Sequence, residues 1–155
     1  MYRFLPVLLL AFCMACNTAG QTGNFPDFKF MDTDSASVTV GDINPGRALM
    51  LVYFRSDCDH CRHMAQVMKE LGPGYPADIW MVSAEDMDMI RLFEEMTGLY
   101  DIDNLRTMRD YTFNMHTWFD FKSLPFIVLF DKNGKQVKQF ENLPQPGTVD
   151  SLLKN

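Results

Sequence analysis

The sequence predicts an α/β fold in which a mixed central sheet is covered by helices on both sides. Three observations carry that prediction. Apolar runs of strand length, "ALMLVYF", "DIWMVSA" and "FIVLF", are continuous rather than alternating, as strands buried on both faces must be. Segments with apolar residues at helical spacing stand between them. Turn and stop signals such as "NPGR", "GPG" and "DKNGK" punctuate the two kinds of segment.

The chain opens on a segment that reads as an export signal rather than as fold. Arg3 supplies a small positive start, and "FLPVLLLAF" from Phe4 to Phe12 is an apolar stretch too short to span a bilayer. Ala15 then precedes Cys16. A small residue before cysteine resembles a bacterial lipoprotein cleavage box, in which the cysteine is lipidated and becomes the new N-terminus. Cys13 stands where such boxes prefer leucine. The expected division is a signal peptide of lipoprotein type over residues 1–15, a flexible tether over 16–24 and one domain over 25–155. Ordinary signal-peptidase cleavage is the alternative to lipid attachment at Cys16. On either reading the protein is exported, to a bacterial periplasm or cell envelope, and lipidation would anchor it to the membrane.

From Phe25 the alternation begins. "ALMLVYF", Ala48 to Phe54, follows "NPGR" and predicts a central strand. Directly behind it Cys61, Met64, Ala65, Met68 and Leu71 fall on one helical stripe, and the "GPG" of residues 72–74 stops that helix. "DIWMVSA" predicts a second buried strand. Ser83 and Asp86 supply a capping signal for a helix carrying Met89, Ile90, Phe93 and Met96 inward, with Gly98 as its stop. "NLRTMRD" predicts a further strand, and the stretch from Tyr111 to Phe119 a short helix. After "FIVLF", Asn133–Gly134 stands where a hairpin turn needs positive φ, and "QVKQF" returns antiparallel. Thr148 is the expected cap of a C-terminal helix containing Val149, Leu152 and Leu153.

Composition narrows the function. Apolar residues make up 47% of the chain and aromatics 13%, which suits a packed core rather than disorder. A net charge of −6 without any basic run argues against a nucleic-acid partner, which needs clustered Lys and Arg. Apart from Cys13 and Cys16, the only cysteines are Cys58 and Cys61. In an exported compartment such an isolated close pair points to redox chemistry rather than to a framework of staples.

That pair, "CDHC", sits where the central strand gives way to a helix. Residues three apart in a first helical turn face the same side, with Cβ atoms about 5–6 Å apart, within reach of a disulfide after small adjustment. Closing so short a loop stabilises little. The two sulfurs also differ. Cys58 lies at the helix N-terminus, where unpaired N–H groups and the helix dipole favour a thiolate, whereas Cys61 lies on the stripe facing the core. Cys58 is therefore the expected nucleophile and Cys61 the resolving thiol of a redox-active Cys58–Cys61 disulfide. His60, when protonated, would support a thiolate at Cys58; Asp59 and Asp57 would oppose it.

The strand "MLVYF", the junction "CDHC", the helix behind it and "SLPFIVLFDKNGK" together resemble the thioredoxin-like superfamily. More narrowly they resemble its exported, membrane-tethered thiol–disulfide reductase branch, bordering on the redoxins. The segment "NFPDFKFMDTDSASVTVGDI" is similar to the N-terminal hairpin that this branch adds. The resemblance covers residues 25 to 155. It implies a thiol–disulfide oxidoreductase acting on exported protein substrates, running as a reductase, with protein thiols and disulfides and an upstream electron donor as partners and no cofactor. It also implies that Pro125 is the family's cis-proline and that Leu124 and Pro125 offer backbone to a bound chain. The chain departs from the family where Asp57 replaces the usual tryptophan and Val52 stands where thioredoxin has a buried acid. Glu85 is the candidate to replace that acid in proton transfer.

Other readings of the pair are two structural thiols, a metal site and a non-catalytic binding module. Haem attachment requires histidine after the second cysteine, where Arg62 stands. Zinc requires a second ligand pair at finger spacing, which is missing. A Cu(I) chaperone of the same fold would use Cys58, Cys61 and a distant histidine, for which His116 is the candidate. The threonine-containing loop of peroxiredoxins is absent before Cys58.

Overall fold

The computed structural model describes residues 25–154, so the signal peptide, the tether and lipidation at Cys16 lie outside the described residues. None of the helices described is long and apolar enough to cross a membrane.

Two short strands open the domain, β1 (Lys29–Asp32) and β2 (Ser37–Thr39), joined as the expected antiparallel hairpin. Then follow β3 (Ala48–Tyr53), α1 (Asp59–Leu71), β4 (Ala77–Ser83), α2 (Met87–Thr97) and β5 (Leu105–Arg109). The chain continues through α3 (Asn114–Trp118), β6 (Phe126–Phe130), β7 (Gln136–Phe140) and α4 (Pro146–Leu153). One seven-stranded mixed sheet results, in the order β2-β1-β5-β4-β3-β6-β7. β3 pairs parallel with β4 and antiparallel with β6, so it lies near the middle, and every one of its residues is buried. That is why its sequence is apolar without interruption.

Alternation along β3 divides the core. Met50 and Val52 face α1, α2 and α4, joining Phe54, Met64, Met68, Ile90, Phe93 and Val149. Leu49, Leu51 and Tyr53 face the other way, onto Phe28, Phe30, Trp80, Met115 and Phe119. Helices do cover both sides, but unequally: the second side has only the short α3, and an aromatic layer completes it. Phe30 meets Trp80 edge-on, and Phe121 stacks on Phe126 at 5.0 Å. Asp78 is buried at the foot of β4 and accepts hydrogen bonds from the Asn44 side chain at 2.8 Å and Arg47 Nε at 2.7 Å, which fastens the loop leading into β3.

Four local expectations need correction. On α2 only Ile90 and Phe93 are buried; Met89 is 45% and Met96 74% exposed, because the helix rests on the sheet along a seam narrower than its apolar sector. Ser83 and Asp86 do not cap α2 with their side chains: Asp86 holds Arg109 at 2.8 Å, and Ser83 Oγ donates to Glu85 at 3.0 Å. Gly98 does end the helix, with φ +68°. In the β6–β7 turn Gly134 alone takes positive φ, while the Asp131 carboxylate accepts from the N–H groups of Asn133 and Lys135. The last helix starts earlier than expected, at Pro146 after an N-cap at Gln145, since proline suits the first turn; Thr148 lies inside it.

Phe54, fully buried, continues β3 toward the cysteines and stacks on Phe93 of α2 at 4.5 Å. Phe54→Ala is expected to cost about 3–5 kcal/mol, read as a lower urea midpoint. A loss below about 1 kcal/mol would show that α2 is not held by this contact.

Candidate functional site

β3 delivers the chain to the site. Past Tyr53 and Phe54 the backbone turns through Arg55, Ser56 and Asp57 and reaches Cys58, which is the N-cap of α1 in extended conformation (φ −89°, ψ 116°). The Cys61 N–H, otherwise unpaired at a helix start, donates to Cys58 Sγ at 3.2 Å. Cys61 Sγ donates to Cys58 Sγ at 2.7 Å. Both are free thiols. A disulfide needs the sulfurs at about 2.05 Å, so a small movement would join them.

The two sulfurs occupy unlike places. Cys58 is half-buried, whereas Cys61 is 0% exposed among Val52, Phe54, Met64 and Ala65. Burial pushes the Cys61 thiol up to about 12; the hydrogen bond with Cys58 and the charges of Cys58 and Glu85 push the same way, against a backbone hydrogen bond from Arg55. Cys61 thus stays a thiol until its surroundings change.

The remaining sequence candidates gather around this pair, except one. The Leu124–Pro125 peptide is cis, and Cys58 Sγ donates to Leu124 O at 3.9 Å. Asp59 and His60 are exposed on the first turn of α1. Asp59 pairs with Arg62, whose other nitrogen donates to Ser56 O at 2.8 Å; Asp57 pairs with Arg55 at 2.7 Å. His60 and His63 line a cleft of about 590 Å³, facing Leu124, Pro125 and Glu141. Glu85 lies at the end of β4 and accepts from Ser56 N at 2.7 Å and Ser56 Oγ at 2.8 Å.

His116 is the exception. Its ring stands beside Tyr53 and Phe121, with Nε2 3.2 Å from Tyr53 OH. Tyr53 belongs to the face of the sheet opposite Cys61. The three donors suggested for copper are therefore not brought together, and among the described residues no three His, Cys, Asp or Glu side chains converge as a metal site.

Sequence reasoning missed two features. Ser56 is fastened to Glu85, twenty-nine positions away, which no local motif signals. A second groove of about 340 Å³ opens on the other flank, where Ser56, Asp57 and Arg62 face Met89, Leu92 and Met96. The methionines of "MDMIRLFEEMT" had the spacing of a buried stripe, so only their packing exposes them.

The profile of the AhpC/TSA family matches residues 22–150. No curated protein sequence matches the chain. Among solved structures, the thioredoxin domain of a thiol–disulfide oxidoreductase from Bacteroides vulgatus superposes with a TM-score of 0.71 at 18% identity, over 85% of this chain and 97% of that one. The exposed lipoprotein thioredoxin of Streptococcus pneumoniae gives 0.59 at 21% identity, over 83% and 98%. A secreted disulfide oxidoreductase of Mycobacterium tuberculosis gives 0.62 at 15% identity, over 83% and 92%. The likenesses show a thioredoxin-like fold.

The raised Cys61 thiol has a consequence for stability. The folded protein keeps that proton up to about pH 12, whereas an unfolded chain releases it near 9.0. Tyr75, lifted by burial from 10.0 to about 12, acts in the same direction. Stability from these groups is complete below about pH 9 and is lost as pH rises toward 12. Urea unfolding of the reduced protein should weaken across that interval, and Cys61→Ser should flatten the early part of the decline. An unchanged urea midpoint up to about pH 11 would contradict the assignment.

Proposed function

We propose, from the premise that the chain belongs to the AhpC/TSA family, that it is a thiol–disulfide oxidoreductase in which Cys58 attacks and Cys61 resolves. The observation that carries this reading is one accessible sulfur at a helix start with a second, sealed sulfur 2.7 Å behind it. Exchange needs that inequality. The Cys58 thiolate attacks one sulfur of a partner disulfide, forming a mixed disulfide and expelling the other partner sulfur as a thiolate. Cys61 then loses its proton and attacks Cys58 Sγ, expelling the partner's second thiol. The partner gains two electrons, and the protein is left with a Cys58–Cys61 disulfide. A dithiol donor must return those two electrons before the next cycle.

The surroundings support each step. Cys58 accepts the Cys61 N–H, and a donor hydrogen bond at a helix start favours the attacking anion. The cis Leu124–Pro125 peptide beside Cys58 presents the Leu124 carbonyl to an incoming main chain, and the cleft between α1 and Glu141 has room for the partner's adjoining residues. His60 and Asp59 stand exposed on the first turn of α1, beside the approach to Cys58. A docked partner also excludes water, which strengthens the hydrogen bond from the Cys61 N–H to the Cys58 sulfur.

Reduction of exported protein disulfides is the proposed direction, following the exported reductases that the sequence resembles. Two structural relatives are an exposed lipoprotein thioredoxin and a secreted disulfide oxidoreductase, which together with the signal-like N-terminal sequence supports export and a lipid anchor at Cys16.

The test is a trap. Cys61→Ser should accumulate mixed disulfides with partner proteins through Cys58, visible as reducible high-mass bands, while Cys58→Ser should accumulate almost none. Equal trapping by both variants, or full disulfide-reducing activity in both, would remove the reading.

A further inference from the structure

Ser56, two residues before Cys58, takes its hydrogen-bond partners from two other parts of the chain. Its N–H and Oγ donate to the two oxygens of Glu85, at 2.7 and 2.8 Å. Its carbonyl accepts from Arg62 of α1 at 2.8 Å. Glu85 is itself fixed, since its Oε2 also accepts from Ser83 Oγ at 3.0 Å and its N–H donates to the same hydroxyl at 3.3 Å. Ser83 is the buried last residue of β4, so the anchor runs down to the central sheet. On the other side of the fastened residue, Arg55 O accepts from Cys58 N–H at 3.3 Å, and the Arg55 backbone also bonds to Cys61. The loop that carries the attacking sulfur therefore touches both cysteines and is tied at its middle to Glu85.

We propose that Glu85 is a positioning residue for the exchange reaction: by clamping Ser56 to the end of β4 it holds Cys58 Sγ in line for displacement by Cys61. This rests on the Cys58–Cys61 reading above and adds to it the group that fixes the alignment. Thioredoxin's buried acid is replaced here by Val52, which is fully buried and cannot bind anything polar. In this proposal Glu85 acts through the loop, using both oxygens as hydrogen-bond acceptors for Ser56. Intramolecular displacement depends steeply on such alignment, and a misplacement of about 1 Å can cost on the order of a hundredfold in rate.

Reaction of the reduced protein with dithionitrobenzoate separates the two chemical steps. Cys58 attacks the reagent's disulfide and expels one thionitrobenzoate, leaving the other half bonded to Cys58. Cys61 then attacks Cys58 Sγ and expels the second thionitrobenzoate, leaving the protein disulfide. Both releases are read by absorbance. Glu85→Ala should slow the second release by on the order of tenfold to a hundredfold, with the first release nearly unchanged as a sign that the fold is intact. Glu85→Gln keeps an oxygen for the Ser56 N–H and an amide for its hydroxyl, and should recover most of the second rate. Equal slowing in both variants would show that the carboxylate's charge or proton is what matters, and overturns the proposal. So does a second release at the wild-type rate in Glu85→Ala. Wild-type protein that never releases the second equivalent would remove the Cys58–Cys61 reading itself, and the clamp with it.

Discussion

The constraint on which the site depends is that α1 begins where the central strand ends. β3 is buried on both faces between β4 and β6, so its exit point is among the least movable positions in the molecule. Cys61 is packed on that exit among Val52, Phe54 and Met64, which fixes the first turn of α1 against the sheet. Once Cys61 is sealed, helix geometry leaves Cys58 one turn earlier, half-buried and accepting the Cys61 N–H. The inequality between the sulfurs is thus a product of packing. It needs no special residue between them, and Asp59 and His60 remain exposed on the first turn of α1.

Around that fixed point the molecule distributes different tasks to different elements. β6 begins at the cis Leu124–Pro125 peptide and sets a carbonyl beside Cys58. α1 and the segment after β7 form a polar cleft on one flank, and α2 contributes methionines to an apolar groove on the other. Methionine is flexible and polarisable, so this second surface can adapt to unlike shapes. The face of the sheet away from the cysteines is given over to aromatic packing, and His116 belongs there with Tyr53 and Phe121. The same histidine that looked like a metal donor is a member of a ring cluster.

Much of this was legible in the sequence, because the strongest signals are those of burial. Runs such as "ALMLVYF" and "FIVLF" have no polar residue that could tolerate an exposed strand face, so both strands were predicted within a residue of their ends. The stripe behind Cys61 and the stop at "GPG" located α1 equally well. Partly satisfied patterns were less legible. Met89 and Met96 have the spacing of core residues, but whether a helix sinks to that depth depends on the sheet beneath it. Ser83 and Asp86 have the chemistry of caps, yet Arg109 and Glu85 compete for them through the fold. Ser56 gives no sequence signal, since its meaning comes from a carboxylate in the bend between β4 and α2.

On the proposed reading the pair is a two-electron device, and its oxidised form requires only a short approach of two sulfurs already 2.7 Å apart. The measurement that tests this most directly is equilibration of the folded domain in graded thiol–disulfide buffers, with the state of Cys58 and Cys61 read by mass after acid quenching. The account predicts one reversible transition in which both cysteines oxidise together, with the two-electron slope of about 30 mV per tenfold change in the equilibrium ratio. A pair that stays reduced until the domain unfolds, or a Cys58 that oxidises only with external thiols while Cys61 remains free, would contradict it.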